Sequence, residues 1–393
     1  MSYAEIVVKA PFEYISSMQG VKSGHFVLDG TYKRLNMLSP RVIITTSVSA
    51  IPEEPRSTAA AQAAEVLKQA RRRCEPPLRE AITTLPDPLD LMAAYHLGWR
   101  DPEGNPTDRG WGKGLRAALV FAAATACGAD ARTVVHAAVA VELVHNFTLV
   151  HDDVMDADRL RRGRATVWTV WGVPQAISLG DALQALAIRV LTSAWPGAIG
   201  AEATSLMSSA IVELCLGQSL DCAFETRSGV RVEEYVAMAQ GKTGALTGCA
   251  TALGALCAGA DPATIGRFEA FGRELGLAFQ LVDDILGIWG DPAMTGKPIG
   301  GDLMRRKRSF PVVAALSSGT AAAAELEKLY RSTTPITVTE AARAAVAVEA
   351  AGGRTAAALH ADKRVAAAIA ALPDPDRARD LLALIRFVTR RDR

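Results

Sequence analysis

The chain has 393 residues, 49% of them hydrophobic and 22% charged, with a formal net charge of +1. That composition supports a sizeable packed core and excludes global disorder. Near-neutral charge argues against general nucleic-acid binding, which needs a strongly basic face, so any anion site must come from local placement of Lys and Arg.

Residues 1–56 hold alternating apolar runs, Gly, Ser and the Pro-containing stretch Ile51-Pro52-Glu53-Glu54-Pro55. They read as an N-terminal extension of unassigned role, with a linker at 51–57. No basic segment followed by an apolar run opens the chain, and no uncharged apolar stretch reaches the roughly 18 residues of a membrane span. Neither a signal peptide nor a span is therefore expected, and the cytoplasm is the default address. The six cysteines form no CxxC pair and read as buried reduced thiols.

From 57 to 393 the pattern is that of one helical domain. Ser57-Thr58 is a candidate cap for an Ala-rich helix that reaches the Arg cluster at 71–73. Ala-rich segments follow at 117–126, 131–150, 176–193, 242–257, 261–290, 311–330, 337–350 and 354–372. Ala, Leu, Glu, Lys and Arg dominate them, and β-branched alternation is rare. The expected fold is all-α, a bundle larger than four helices.

Chemistry-bearing residues punctuate this pattern. Gly112-Lys113-Gly114-Leu115-Arg116 puts two cations three apart at a helix start, a placement that favours an anion. Asp152, Asp153 and Asp156 follow the apolar stretch 134–150, and Asp152 and Asp156 stack one turn apart. Carboxylates gathered at the end of a buried helix are costly without a cation, and hard oxygen ligands with open positions suit Mg²⁺. Taken alone, the cluster reads equally as a solvated acidic helix end. Arg161-Arg162-Gly163 comes next, and carboxylates followed by guanidiniums suit a polyphosphate better than a plain salt-bridged surface. A second acidic pair, Asp283 and Asp284, ends another apolar stretch after Phe279-Gln280. Its i+4 position is Gly287, so this half is the weaker metal site. Lys297 lies in a Gly/Pro loop nearby. Lys242-Thr243 lies between the two acidic sets, after a helix bearing Gly217-Gln218 and Asp221. His145 by itself reads as a core histidine.

In order, these are Gly-Lys-x-x-Arg at 112–116, Glu142-x-x-His145, Asp-Asp-x-x-Asp at 152–156, Arg-Arg-Gly at 161–163 and Gly-Gln-x-x-Asp at 217–221. Lys-Thr at 242–243, Phe-Gln-x-x-Asp-Asp at 279–284, Gly296-Lys297 and Gly301-Asp302-Leu303 complete the series. Together they resemble the trans-isoprenyl diphosphate synthases, whose members make farnesyl, geranylgeranyl and longer polyprenyl diphosphates. The resemblance covers 57–393. Gly287 departs from it where an Asp is usual, as do Ala117 and Ala165 where Pro is common.

The resemblance implies a large helical bundle of the isoprenoid synthase type with a central active-site cavity. It further implies a homodimer and three Mg²⁺ ions. The ions are held by Asp152, Asp156 and Asp283, with Asp153 and Asp284 beside them as further candidate ligands. Arg161, Lys242 and Lys297 would grip an allylic diphosphate. Lys242, Thr243 and Gln280 would face the carbocation formed from it. Lys113, Arg116, His145 and Arg162 would hold isopentenyl diphosphate. Phe147 and Thr148, at the fifth and fourth positions before the first acidic set, resemble the geranylgeranyl (C20) type. Farnesyl or longer products are the alternative, and Phe147 as ordinary core is the plainer reading. A class I terpene cyclase would show an Asn/Asp-x-x-Ser/Thr-x-x-x-Glu second motif, and a non-catalytic subunit would have lost its aspartates or its Arg-Arg pair.

Overall fold

The computed structural model describes residues 56–227, 229–290, 300–332 and 334–389, all within a unit spanning Val48–Arg393. The expectations for residues 1–55 and for Gly296 and Lys297 lie outside the described residues.

In chain order the described helices begin with α1 (Arg56–Thr83), α2 (Leu89–His96), α3 (Leu115–Ala126) and α4 (Val135–Met155). Then come α5 (Val167–Trp171), α6 (Val173–Ala194), α7 (Ala198–Thr226) and α8 (Val232–Ala239). A π-helical turn, Gln240–Gly244, leads into α9 (Ala245–Cys257), and α10 (Pro262–Trp289) follows. The last described helices are α11 (Gly301–Met304), α12 (Phe310–Leu316), α13 (Ala321–Arg331), α14 (Val338–Ala350), α15 (Gly353–Ala371) and α16 (Arg379–Thr389).

Three local expectations change. Ser57 and Thr58 fall inside the first turn of α1, which runs past the Arg cluster to Thr83. The segment 311–330 is two helices rather than one. Gly319, at φ 67, and the Thr320 cap, whose side chain accepts from Ala323 N, turn the chain there. The described chain also holds one two-stranded antiparallel pair, Leu160–Arg161 with Arg164–Ala165.

Every residue from 245 to 256 in α9 is buried, so this helix shows no polar face. α3, α7 and α10 pack around it. Its small side chains permit close backbone approach: a Cβ on Gly272 of α10 would lie 2.3 Å from Thr247 O. Buried hydroxyls are satisfied by carbonyls, as where Thr251 Oγ1 donates to Phe268 O at 2.6 Å. A second apolar cluster contains Leu281, Val282, Ile285, Tyr235 and Phe310. It anchors the stretch of α10 that carries Asp283 and Asp284.

Two stretches, Ala131–Met155 and Ala198–Thr226, have the length and apolar composition of a membrane span. In the first, 67% of the most apolar window is buried inside the fold, which makes it a core helix; in the second only 33% is.

Candidate active site

The last turn of α4 carries Asp152 and Asp153, and Asp156 caps it. Asp152 is half-buried. Burial raises its pKa, Lys242 pulls it down, Asp156 pushes it up and Arg161 pulls it down again. Four candidate residues from three elements thus act on one another here. Asp153 points inward, 1% exposed. It accepts from Arg161 Nε at 2.7 Å, while its second oxygen is buried without a partner. Burial, only partly offset by Arg161, pushes its pKa up to about 6.

Arg161-Arg162-Gly163 forms the tip of the β pair. Arg161 pairs with Arg164, leaving Arg162 (φ 53) and Gly163 (φ 73) as a two-residue turn with both φ angles positive. This conformation aims Arg162 at the loop before α3, where its Nη1 donates to Trp111 O at 2.6 Å. Gly112 makes room for it, because a Cβ there would lie 2.8 Å from Arg162 Nη2. The glycines of two separate sequence motifs therefore serve one guanidinium.

Arg116 and His145 also meet, with Arg116 Nη1 3.2 Å from His145 Nε2. Burial, then Arg116, Arg162 and Arg161, hold the His145 pKa well below its usual value, so the ring is neutral. Glu142, one turn earlier, accepts from Ala117 N at 2.9 Å and fixes the start of α3 beside Arg116. Lys113 stands slightly apart. Its ammonium lies 5.4 Å from the centre of the Phe387 ring of α16, in a groove of about 410 Å³ that Lys68 and Arg71 also line.

Across the bundle, the π-helical turn presents Lys242 and Thr243. Gly217 of α7 lets this turn approach, since a Cβ there would lie 2.1 Å from Lys242 N. Lys242 Nζ pairs with Asp221 Oδ2 at 2.5 Å. Thr243 Oγ1 donates to Gln280 Oε1 at 2.8 Å, and Gln280 Nε2 donates to Asp284 Oδ1 at 2.9 Å. Asp284 is 2% exposed and also accepts from Tyr235 Oη and from Phe310 N at 2.7 Å. Its oxygens are taken up by protein donors, in contrast to the open ligand expected from its place beside Asp283. Asp283 itself stays half-buried.

Sequence reasoning passed over Lys307. Its charge is felt by Asp221 and Asp284, and in turn Asp221, Asp302, Asp284 and Asp156 raise its pKa against the opposing effect of burial. It follows Arg305-Arg306, so in sequence it looks like part of a surface basic run. Tyr235 was also missed; nothing in its local sequence marks it as the clamp on Asp284.

Magnesium fits this donor set. Asp152 and Asp156, half-buried at the end of α4, offer hard carboxylate oxygens that act on one another. Among the described residues no three His, Cys, Asp or Glu side chains converge tightly enough to hold a cation alone. That suits an ion which keeps waters and takes substrate phosphate oxygens.

Phe147 is 4% exposed and meets His151 edge-on, with ring centroids 5.0 Å apart. Thr148 Oγ1 donates to His145 O at 2.8 Å. A further cavity of about 270 Å³, lined by Cys127, Asp261 and Arg377 among others, touches none of the candidate residues.

A family model described as polyprenyl synthetase matches residues 107–347. The chain is 52% identical over 327 residues to a geranylgeranyl diphosphate synthase of Mycobacterium tuberculosis, an alignment covering 83% of this chain and 93% of that one. It is 43% identical over 333 residues to a (2E,6E)-farnesyl diphosphate synthase of the same species, covering 83% and 92% respectively. Its fold is similar to the crystal structure of a polyprenyl synthetase from Streptomyces coelicolor A3(2), with TM-score 0.78, 46% identity, and 82% and 98% of the two chains covered.

Proposed function

The chain belongs to the polyprenyl synthetase family and is a prenyltransferase; from that premise we propose that it depends on Mg²⁺ and extends an allylic diphosphate with isopentenyl diphosphate, its main product being the C20 diphosphate. Asp152, Asp156 and Asp283 would hold the Mg²⁺ ions, three by the family resemblance, that meet the allylic diphosphate. When bound, the metal supplies the positive charge that lets this leaving group depart. Arg161, Lys242 and Lys297 grip the same diphosphate. Asp153 and Asp284 have a positioning part: the first orients Arg161 and the second orients Gln280. Thr243 and Gln280 turn side-chain oxygen lone pairs, and Lys242 its backbone carbonyl, toward the allylic cation. Arg116, His145 and Arg162, with Lys113 at the rim, hold isopentenyl diphosphate so that its double bond attacks the cation. A proton then leaves to the released pyrophosphate.

The observation that carries this reading is that Lys242, Asp156, Arg161 and Asp221, from the π-helical turn, the end of α4, the β pair and α7, all act electrostatically on Asp152. The test is turnover of purified protein with each allylic primer, with and without Mg²⁺. Asp152→Ala should lower turnover by roughly a hundredfold or more while the helical spectrum is kept. Turnover near the parent value would sink the metal assignment.

The C20 product rests on Phe147, buried five residues before Asp152, with the smaller Thr148 beside it. Phe147→Ala should shift products beyond C20 with activity retained. An unchanged product distribution would remove Phe147 as the floor of the pocket, and a C15 parent product would overturn the C20 assignment.

A homodimer is proposed as well. Val212 and Leu216 of α7 are 69% and 61% exposed, on the helix whose apolar window is mostly outside the fold.

A further inference from the structure

Phe147 and His151 lie one turn apart on α4 and share a face of that helix. Their rings meet edge-on, with centroids 5.0 Å apart and planes at 81°. The histidine is itself held by a second helix. Its Nε2 lies 3.1 Å from Ile177 O and 3.9 Å from Asp181 Oδ1, both of α6. Two oxygen acceptors around one ring nitrogen place the proton on Nε2, which donates to the carbonyl.

α6 also supplies the seat for this ring. Glycine is the poorest of the ordinary residues inside a helix, yet Gly180 is buried in the middle of α6 and has no positive φ that would call for it. What it supplies is space: a Cβ there would lie 2.1 Å from His151 Nε2 and 2.3 Å from its Cδ2. A side chain at 180 would drive the imidazole from its place and break its bond to Ile177 O.

We propose that His151, seated on Gly180 and tied to Ile177 O, is a positioning residue that fixes the Phe147 ring and through it the product length. This rests on the reading of Phe147 as the floor of the tail pocket. A phenylalanine closes a pocket at a set depth only while its ring keeps one rotamer, and an unsupported ring swings and lets longer tails past. The edge contact is a firm support because the histidine is bonded to a second helix. Product length then depends on two helices, α4 giving the floor and its support and α6 the seat.

The test is the product distribution, read by chromatography of the dephosphorylated products. The proteins are the parent, Phe147→Ala, His151→Ala, His151→Gln, Gly180→Ala and the double variant Phe147→Ala/His151→Ala, each with its melting temperature. His151→Ala should raise the share of products longer than the parent's main one by roughly threefold or more, the scale of a single rotamer preference. His151→Gln keeps a donor for Ile177 O but has no ring, and it should lengthen products too, which keeps the test decisive where the alanine variant folds poorly. Gly180→Ala, which dislodges the ring from the α6 side, should act in the same sense. Because His151 works through Phe147, the double variant should match Phe147→Ala alone. A histidine that only fills the core would lower the melting temperature and leave the distribution as in the parent. If Phe147→Ala lengthens products and the His151 variants do not, the proposal is overturned and the floor reading stands. If Phe147→Ala leaves products unchanged, both fall. A double variant making longer products than Phe147→Ala also overturns the proposal, since His151 would then be a wall of the pocket in its own right.

Discussion

At the scale of single residues, the site divides side chains that face its interior from side chains that hold them. Asp152 and Asp283 are half-buried, whereas their neighbours Asp153 and Asp284 are 1% and 2% exposed and engaged with Arg161, and with Tyr235, Gln280 and Phe310 N. Adjacent residues on a helix point about 100° apart, so a paired aspartate sends one carboxylate to the cavity and the other to the core. Arg116 belongs to the first kind and is tied to neutral His145. Arg116→Ala should raise the Michaelis constant for isopentenyl diphosphate ten- to a hundredfold, since a charge-assisted phosphate contact is worth roughly 1.5–3 kcal/mol. The constant for the allylic primer should move much less. Equal rises for both substrates in steady-state assays would contradict the separation of the two sites.

At the scale of elements, the β pair is fastened to the end of α2. Arg164 donates to Tyr95 O at 2.6 Å and His96 O at 3.1 Å, and Tyr95 Oη donates to Ala165 O at 2.7 Å. His96 is buried beneath this junction. Burial, then Arg162, Arg161 and Arg164, depress its pKa from 6.5 to about 3. The unfolded chain binds a proton there below about pH 6.5 and the folded chain does not. The stabilisation is therefore complete above pH 6.5 and is lost as pH falls toward 3. By pH 5 the loss amounts to roughly 2 kcal/mol. His96→Gln cannot take up that proton, so its urea midpoint should fall less than the parent's between pH 7.5 and 5. Parallel declines would show that His96 is protonated in the folded protein as easily as in the unfolded one.

For the whole molecule, the all-α bundle and the succession of helices were legible because Ala-rich runs and Gly or Pro breaks carry that information locally. The break at 317–320 was passed over, although Ser317-Ser318-Gly319-Thr320 interrupts the Ala-rich runs on either side of it. α7 leaves Val212 and Leu216 exposed on a helix that otherwise packs against α6 and α9. A double variant, Val212→Glu/Leu216→Glu, should shift the mass measured by light scattering from dimer toward monomer, because burying an unpaired carboxylate costs several kcal/mol. An unchanged mass would remove this face as the contact of the proposed homodimer.

What the sequence determined by itself was the inventory: two aspartate pairs, the cations around them, and the helices that carry them. Identity and spacing along one helix suffice for that, as with Asp152 and Asp156 one turn apart. Only the tertiary structure decided which residues from distant segments share a volume. Gly112 makes room for Arg162, Gly217 admits the π-helical turn that presents Lys242, and Asp302 fills the space over Gly287. A missing side chain is visible in a sequence, but what enters the space it leaves depends on how separate helices pack against one another.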